Sequence, residues 1–213
     1  MNNTFWKVGV FVDVQNIYMP YAQQGKRVNY EALRNFLHQF YCADCKEMNL
    51  QHITANASQD QIPGGTVLYP HAFIPYSRDN EGQKKFILAL AQMGYRVITK
   101  PVRVMPDGSK KVNLDIEITL HIISQSHHYD EVVLISGDGE LTPVVNHLVM
   151  NGKKITVIGP EGASAPELMK AGHRFFYLSD IPHIFDQWVP PRSEDNSNLD
   201  IDPETTNEVE DFF

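Results

Sequence analysis

Three short segments carry acids where chemistry could use them: Asp13-Val14-Gln15-Asn16, Asp115, and Gly137-Asp138-Gly139-Glu140. Asp13 closes a dense apolar run and Asp138 follows another, while Asp115 opens a helical pattern just after the basic turn Gly108–Lys111. Two carboxylates about 4 Å apart repel by about 4 kcal/mol at an effective dielectric of about 20. Acids gathered in one place therefore need protons, basic partners or a hard cation. Mg²⁺ and Mn²⁺ take oxygen ligands of this kind and serve phosphoryl and phosphodiester chemistry. Each acid also has a plainer use. An Asp after a strand can cap the next helix or form a turn, which suits Asp138, and Asp115 can stabilise a helix N-terminus through the dipole. Asp13 is the hardest to explain so, because a buried strand rarely ends in an acid followed by Gln-Asn.

Other chemistry-bearing residues are fewer. Residues 78–111 hold eight Lys or Arg against three acids, a local excess that attracts phosphate or stays solvated surface. Cys42, Cys45 and His52 have the spacing of half a zinc site with no second pair of cysteines to complete it. His127 and His128 suit a helix C-terminus. No GxGxxG, GxxxxGK[ST] or GxSxG pattern occurs, which argues against dinucleotide, P-loop and α/β-hydrolase chemistry.

The elements that must position these residues follow from periodicity. Trp6–Val14 (WKVGVFVDV) reads as a strand buried on both faces. Asn29 caps a helix over Tyr30–Phe40, with Leu33, Phe36, Leu37 and Phe40 at helical spacing. A strand is expected near Gln51–Ala57, and Ser58–Tyr76, with three prolines and two glycines, reads as an insertion holding a short extended piece, Thr66–Phe73. Then come a helix over Glu81–Met93 stopped by Gly94, a strand over Tyr95–Val104, a turn at Pro106–Ser109 and a helix from Leu114. Glu131–Ser136 and Lys154–Gly159 are strands around a helix over Leu141–Met150. Ser164 caps a helix to Ala171, and Arg174–Leu178 is a last strand. Alternation of this kind predicts an α/β fold, a three-layer sandwich with a mostly parallel central sheet in a single domain. Ligands in such folds gather beyond the carboxyl ends of the strands, where Asp13 and Asp138 fall.

Composition agrees with one domain and a tail. The chain has 213 residues and a net charge of −8, and residues 193–213 alone hold eight acids with no Lys or Arg, so residues 1–192 are balanced. The domain is expected over residues 1–185, with residues 186–213 an acidic, disordered tail that solubilises or docks on a protein partner. Two cysteines and the absence of a signal-like or membrane-spanning segment point to a reduced, cytoplasmic setting.

The blocks FVDVQNIY, KKVNLDIEITLHI, VVLISGDGELTPVV and KKITVIGPEGASAPELMKAGHRFFYLSDI, in that order over residues 6–181, resemble the NYN domain, the LabA-like branch of the PIN-like nuclease superfamily. The resemblance implies a PIN-like, Rossmann-like sandwich whose acidic cluster binds Mg²⁺ or Mn²⁺ and cleaves RNA. Asp13 and Asn16 match the first block, D-x-x-N. Ser136, Gly137 and Asp138 match the third, and Asp115 takes the acidic place of the middle one. Glu140 stands where the family carries a second Asp, Val112 where it carries a Lys, and His121 where many relatives carry another Asp.

The leading expectation is thus a metal-dependent endoribonuclease. Asp13, Asp115 and Asp138 bind the ion, Glu140 assists, and Asn16, Ser136, Arg103, Lys110 and Lys111 contact RNA. Tyr18, Tyr21 and Tyr76 are candidates for base stacking or for packing. A non-catalytic RNA-binding or regulatory protein on the same fold is the alternative, and self-association into a homodimer is a further expectation. A haloacid-dehalogenase-like phosphatase ranks lower, because Gln15 stands where that family's general acid belongs.

Overall fold

The computed structural model describes residues 6–41, 66–78, 80–106 and 110–187. In chain order its elements are β1 (Trp6–Asp13), α1 (Val14–Ala22), β2 (Lys26–Val28), α2 (Tyr30–Tyr41), β3 (Thr66–Tyr76), α3 (Glu81–Gln92), β4 (Arg96–Pro101), β5 (Arg103–Val104) and β6 (Lys110–Lys111). They continue with α4 (Asp115–Gln125), β7 (Glu131–Ile135), α5 (Thr142–Met150), β8 (Lys154–Gly159), α6 (Pro166–Ala171), β9 (Arg174–Tyr177) and β10 (Phe185–Gln187).

Six strands form one sheet in the order β4-β3-β1-β7-β8-β9, every pairing parallel. Alternation along β1 sends Val8, Val10 and Val12 into a core shared with α1, α2 and α3. Phe11 points into a second core with Leu114, Ile118 and Ile122 of the α4 region, Val144, Val145 and Leu148 of α5, and Leu168 of α6. Helices thus cover both faces, which is why β1 and β7 read as unbroken apolar runs. Asn29 Oδ1 accepts the Ala32 amide at 2.9 Å and starts α2. Gly94, at φ +89°, ends the turn after α3 where a side chain would be strained. Among the described residues no helix is long and apolar enough to cross a membrane.

Several expectations are corrected. Residues 66–76 are not part of an insertion: they form β3, an eleven-residue strand in the sheet interior that pairs with β1 from Thr66 to Phe73. Its prolines argue against a central strand, but each sits where β3 has one partner. Pro70 pairs with Val10 before β4 joins at His71, and Pro75 pairs with Lys100 after β1 has ended at Phe73. The Pro75 carbonyl accepts instead from Gln83 Nε2 at 2.7 Å. The strand expected over Tyr95–Val104 is two, β4 and β5, the second turning away to pair antiparallel with β6. Val14 begins a helix rather than ending a strand. Ser164 does not cap α6; its hydroxyl donates to the Pro160 carbonyl at 2.7 Å. The strand expected at Gln51–Ala57, the Cys42/Cys45/His52 group, the turn residues Asp107–Ser109 and the segment 193–213 lie outside the described residues.

Candidate functional site

The chain leaves β1 toward β3 and β4 on one side, then returns to place β7, β8 and β9 on the other. The point between β1 and β7 is therefore the topological switch, where the diverging connections leave a crevice at the carboxyl ends of the strands. A cleft of about 360 Å³ opens there. Asp13, Gln15, Asn16, Met19 and Pro20 line one wall, Val112, Asn113, Leu114 and Asp115 the other, with Asp138 and Ala163 beside them.

Asp13 ends β1 and is buried. Its Oδ1 accepts the Asn16 amide at 3.2 Å, capping α1, and its Oδ2 accepts the Ser136 hydroxyl at 3.3 Å. Asn16 crosses the crevice, its Oδ1 accepting the Gly137 amide at 2.7 Å. Ser136 Oγ in turn accepts the Asp138 amide at 3.1 Å, and Asp138 Oδ1 accepts the Glu140 amide at 2.9 Å. The plainer use of both aspartates is therefore real: each caps a helical turn with one oxygen. Asp115 comes from the far side, at the first turn of α4. Asn113 Oδ1 accepts its amide at 2.9 Å. Lys100 Nζ donates to the Asn113 carbonyl at 2.6 Å and to Glu117 at 2.9 Å, which ties the start of α4 to the edge strand β4.

The electrostatics follow from this crowding. Burial pushes the Asp13 carboxyl up to about 7; the Asn16 amide opposes this, Asp115 and Asp138 add to it, and the Ser136 hydroxyl lowers it slightly. Burial also leads at Asp115, raised to about 6 with help from the Asp138 charge and from Glu140, with which it shares a hydrogen bond. Two acids raised toward neutrality by burial and by one another mark a functional-site candidate that added positive charge would favour. The cleft is lined by three carboxylates and three amides, with the Met19 thioether and without Cys or His, which suits a hard cation better than zinc. Among the described residues, no group of three or more His, Cys, Asp or Glu side chains is placed to hold a metal ion by itself. Mg²⁺ does not require one, since it commonly keeps several waters and takes one or two carboxylates together with substrate phosphates. The residues fit an ion held in that open manner.

Of the residues singled out in the sequence, Asp13, Asn16, Asp115 and Asp138 line the cleft. Ser136 is fully buried and engaged by Asp13 and Asp138, so it positions carboxylates rather than facing the opening. Glu140 is exposed and reaches the site through Asp115. Arg103 is exposed on β5, opposite Lys111 in the ribbon whose second strand leads directly into Val112 and the cleft wall; Lys110 pairs with Val104. His121 turns from the cleft, its Nδ1 beside the Glu117 carbonyl at 2.9 Å and its ring edge-on to Phe73. Tyr21 packs on Phe185 at 4.4 Å and its hydroxyl accepts the Glu161 amide, a packing role. Sequence reasoning missed Asn113, although an Asn two residues before a helix-opening Asp is a local turn signal. It also missed Met19, Pro20 and Ala163, whose places depend on α1 and the loop after β8.

Comparison with known proteins bears on this geometry. The sequence model of the NYN domain matches residues 7–180. Low amplitude and bright protein LabA of Synechococcus elongatus is 34% identical over 120 residues, 54% of this chain and 64% of that protein. The chain thus matches a little under two thirds of that relative's length. The crystal structure of a protein of unknown function from Vibrio parahaemolyticus superposes with a TM-score of 0.63 at 26% identity, covering 85% of this chain and 98% of that one.

Proposed function

The chain belongs to the NYN domain family, and from that premise we propose that it is a metal-dependent endoribonuclease, hydrolysing RNA phosphodiester bonds at the cleft between β1 and β7. The observation that carries the proposal is the convergence of Asp13, Asp115 and Asp138 from three separate segments on one cleft, where burial lifts the Asp13 carboxyl to about 7 and the charges of Asp115 and Asp138 add to the rise. Asp13, Asp115 and Asp138 would hold Mg²⁺ or Mn²⁺. When bound, such an ion lowers the pKa of a coordinated water and offsets charge on the phosphate.

The remaining work falls to the chain. Asn16 and Ser136 fix the orientation of the Asp13 and Asp138 segments through the bonds that cross the crevice. Glu140 hydrogen-bonds to Asp115 and fixes that carboxyl from the outer side of the cleft. Arg103, Lys110 and Lys111 on the β5–β6 ribbon would meet backbone phosphates flanking the cleft, giving salt-sensitive affinity. A phosphatase using Asp13 as nucleophile is disfavoured, because Gln15 stands in the cleft where that chemistry needs a general acid. That no group of three or more His, Cys, Asp or Glu side chains among the described residues is placed to hold an ion by itself favours one competing reading, an RNA-binding protein without cleavage.

The test is cleavage of end-labelled single-stranded and hairpin RNA with Mn²⁺, Mg²⁺ or EDTA, beside an Asp138→Asn protein. Metal-dependent cutting that the substitution abolishes is expected. Binding of the same RNAs with no cutting under any metal would support the non-catalytic reading, and cutting that persists in Asp138→Asn would remove the acidic site from the mechanism.

A further inference from the structure

Helix α4 is apolar on two sides. Ile118 and Ile122 are buried against the sheet, while Ile116, Leu120 and Ile123 stand 65%, 60% and 42% exposed. The spacing i, i+4, i+7 lines these three along one stripe. Single exposed aliphatics are ordinary on a protein surface, but a continuous stripe on one helix marks an interaction face. We propose that it joins two copies of this chain, α4 against α4 in antiparallel about a two-fold axis at Leu120.

The pattern itself selects a second copy. Ile116 lies four residues before Leu120 and Ile123 three after it, so an antiparallel partner sets Ile116 near Ile123 and Leu120 near its own counterpart. That is the self-complementarity an isologous contact requires. Charge points the same way. Residues 115–125 contain no Lys or Arg; Glu117 is paired with Lys100 at 2.8 Å, and Asp115 lines the cleft. Two such faces meet without like-charge conflict. RNA or an anionic membrane needs cations that this face lacks, and the eight acids of residues 193–213 would lose water there without a partner. The hydroxyls beside the stripe can be covered at little cost, because Ser124 donates to the His121 carbonyl and Ser126 to that of Ile123. The cleft lies at the N-terminal end of α4, so pairing along its outer side leaves both clefts open.

Sedimentation equilibrium of the full chain tests this from about 1 to about 200 μM, the range in which a contact smaller than a standard interface dissociates. The mass should rise from 24.3 kDa toward twice that value. Leu120→Asp should raise the dissociation constant at least about 100-fold while the circular dichroism and melting temperature hold. In a Cys42→Ser, Cys45→Ser background, Leu120→Cys should be joined to its counterpart by a short bismaleimide, and Met150→Cys should not. A monomer at every concentration overturns the proposal, as does a dimer indifferent to Leu120→Asp. Cross-linking at position 150 but not at 120 would overturn it too, and that readout stands even if the aspartate variant fails to fold.

Discussion

At Asp13 one carboxylate oxygen accepts the Asn16 amide and the other the Ser136 hydroxyl, yet burial still lifts the carboxyl from 3.8 to about 7. Between those two values the folded protein binds a proton that the unfolded chain has released, so stability falls as pH rises through this window and levels above it. Asp13→Asn removes the buried charge while keeping the shape. The metal-free variant should therefore be more stable than the wild type at pH 8, by up to about 4 kcal/mol. The gain should shrink as pH falls from 7 toward 4, as urea unfolding at several pH values would reveal. Added Mg²⁺ or Mn²⁺ should raise the melting temperature of the wild type and not of the variant. A variant less stable than the wild type at pH 8 would mean that its hydrogen bonds, not its charge, dominate at this position.

Among the elements, the turn after β7 decides where Asp138 stands, and Gly137 decides the turn. A Cβ on Gly137 would lie 2.6 Å from the Ala163 carbonyl oxygen and 3.0 Å from Ser164 Cα, both backbone. No rotamer change relieves that contact, so one of the two loops must move. Gly137→Ala should cost about 1–3 kcal/mol by overpacking, and a displacement of about 1 Å at the carboxylates should cut cleavage by about 100-fold. Gly152 is the control: it has φ +74° and open space where its Cβ would go. Gly152→Ala should lose about 1 kcal/mol from backbone strain and leave cleavage per folded molecule unchanged. Paired unfolding curves and cleavage rates check both substitutions.

Across the whole molecule, stability and function sit at opposite ends of the sheet. Glu131 begins β7, far along the strand from the cleft. Its buried carboxylate accepts from Tyr41 at 2.6 Å and from Thr156 at 2.7 Å, and pairs with Arg174 on β9. Arg174→Met leaves that carboxylate without its cation and should cost about 3–5 kcal/mol in urea unfolding, with cleavage per folded molecule preserved. Charge is divided along the chain as well: residues 1–192 are balanced and eight acids lie in residues 193–213. Deleting residues 193–213 should raise RNA affinity at low salt, and the difference should vanish as salt rises. Arg103→Ala should flatten the dependence of log affinity on log salt by about 0.7, one single-strand phosphate contact. Filter binding over a salt series measures both, and an unchanged slope would remove Arg103 from the interface.

Much of this was written locally. Dense apolar runs mark β1, β7 and β8 because a strand covered on both faces has no polar side to interrupt it. Helical spacing after Asn29 marks α2 for the same reason of contact with one core. That Asp13 and Asp138 share an edge followed from chain direction alone, since parallel strands end on the same side. The tertiary structure decided what depends on neighbours distant in sequence. Pro70 and Pro75 deny β3 to any local reading, and only the staggered ends of β1 and β4 make them tolerable. Val14 continues the apolar run of β1, and the turn into α1 is set by the Asp13 cap and the clasp of Asn16 on Gly137, 121 residues away. β2 and β10 are each too short to declare themselves and exist by pairing with one another across most of the chain. The proton affinities of Asp13 and Asp115 belong to the same class, because residue type sets a carboxyl's ordinary pKa but burial and facing charges, which only the packed molecule supplies, move it.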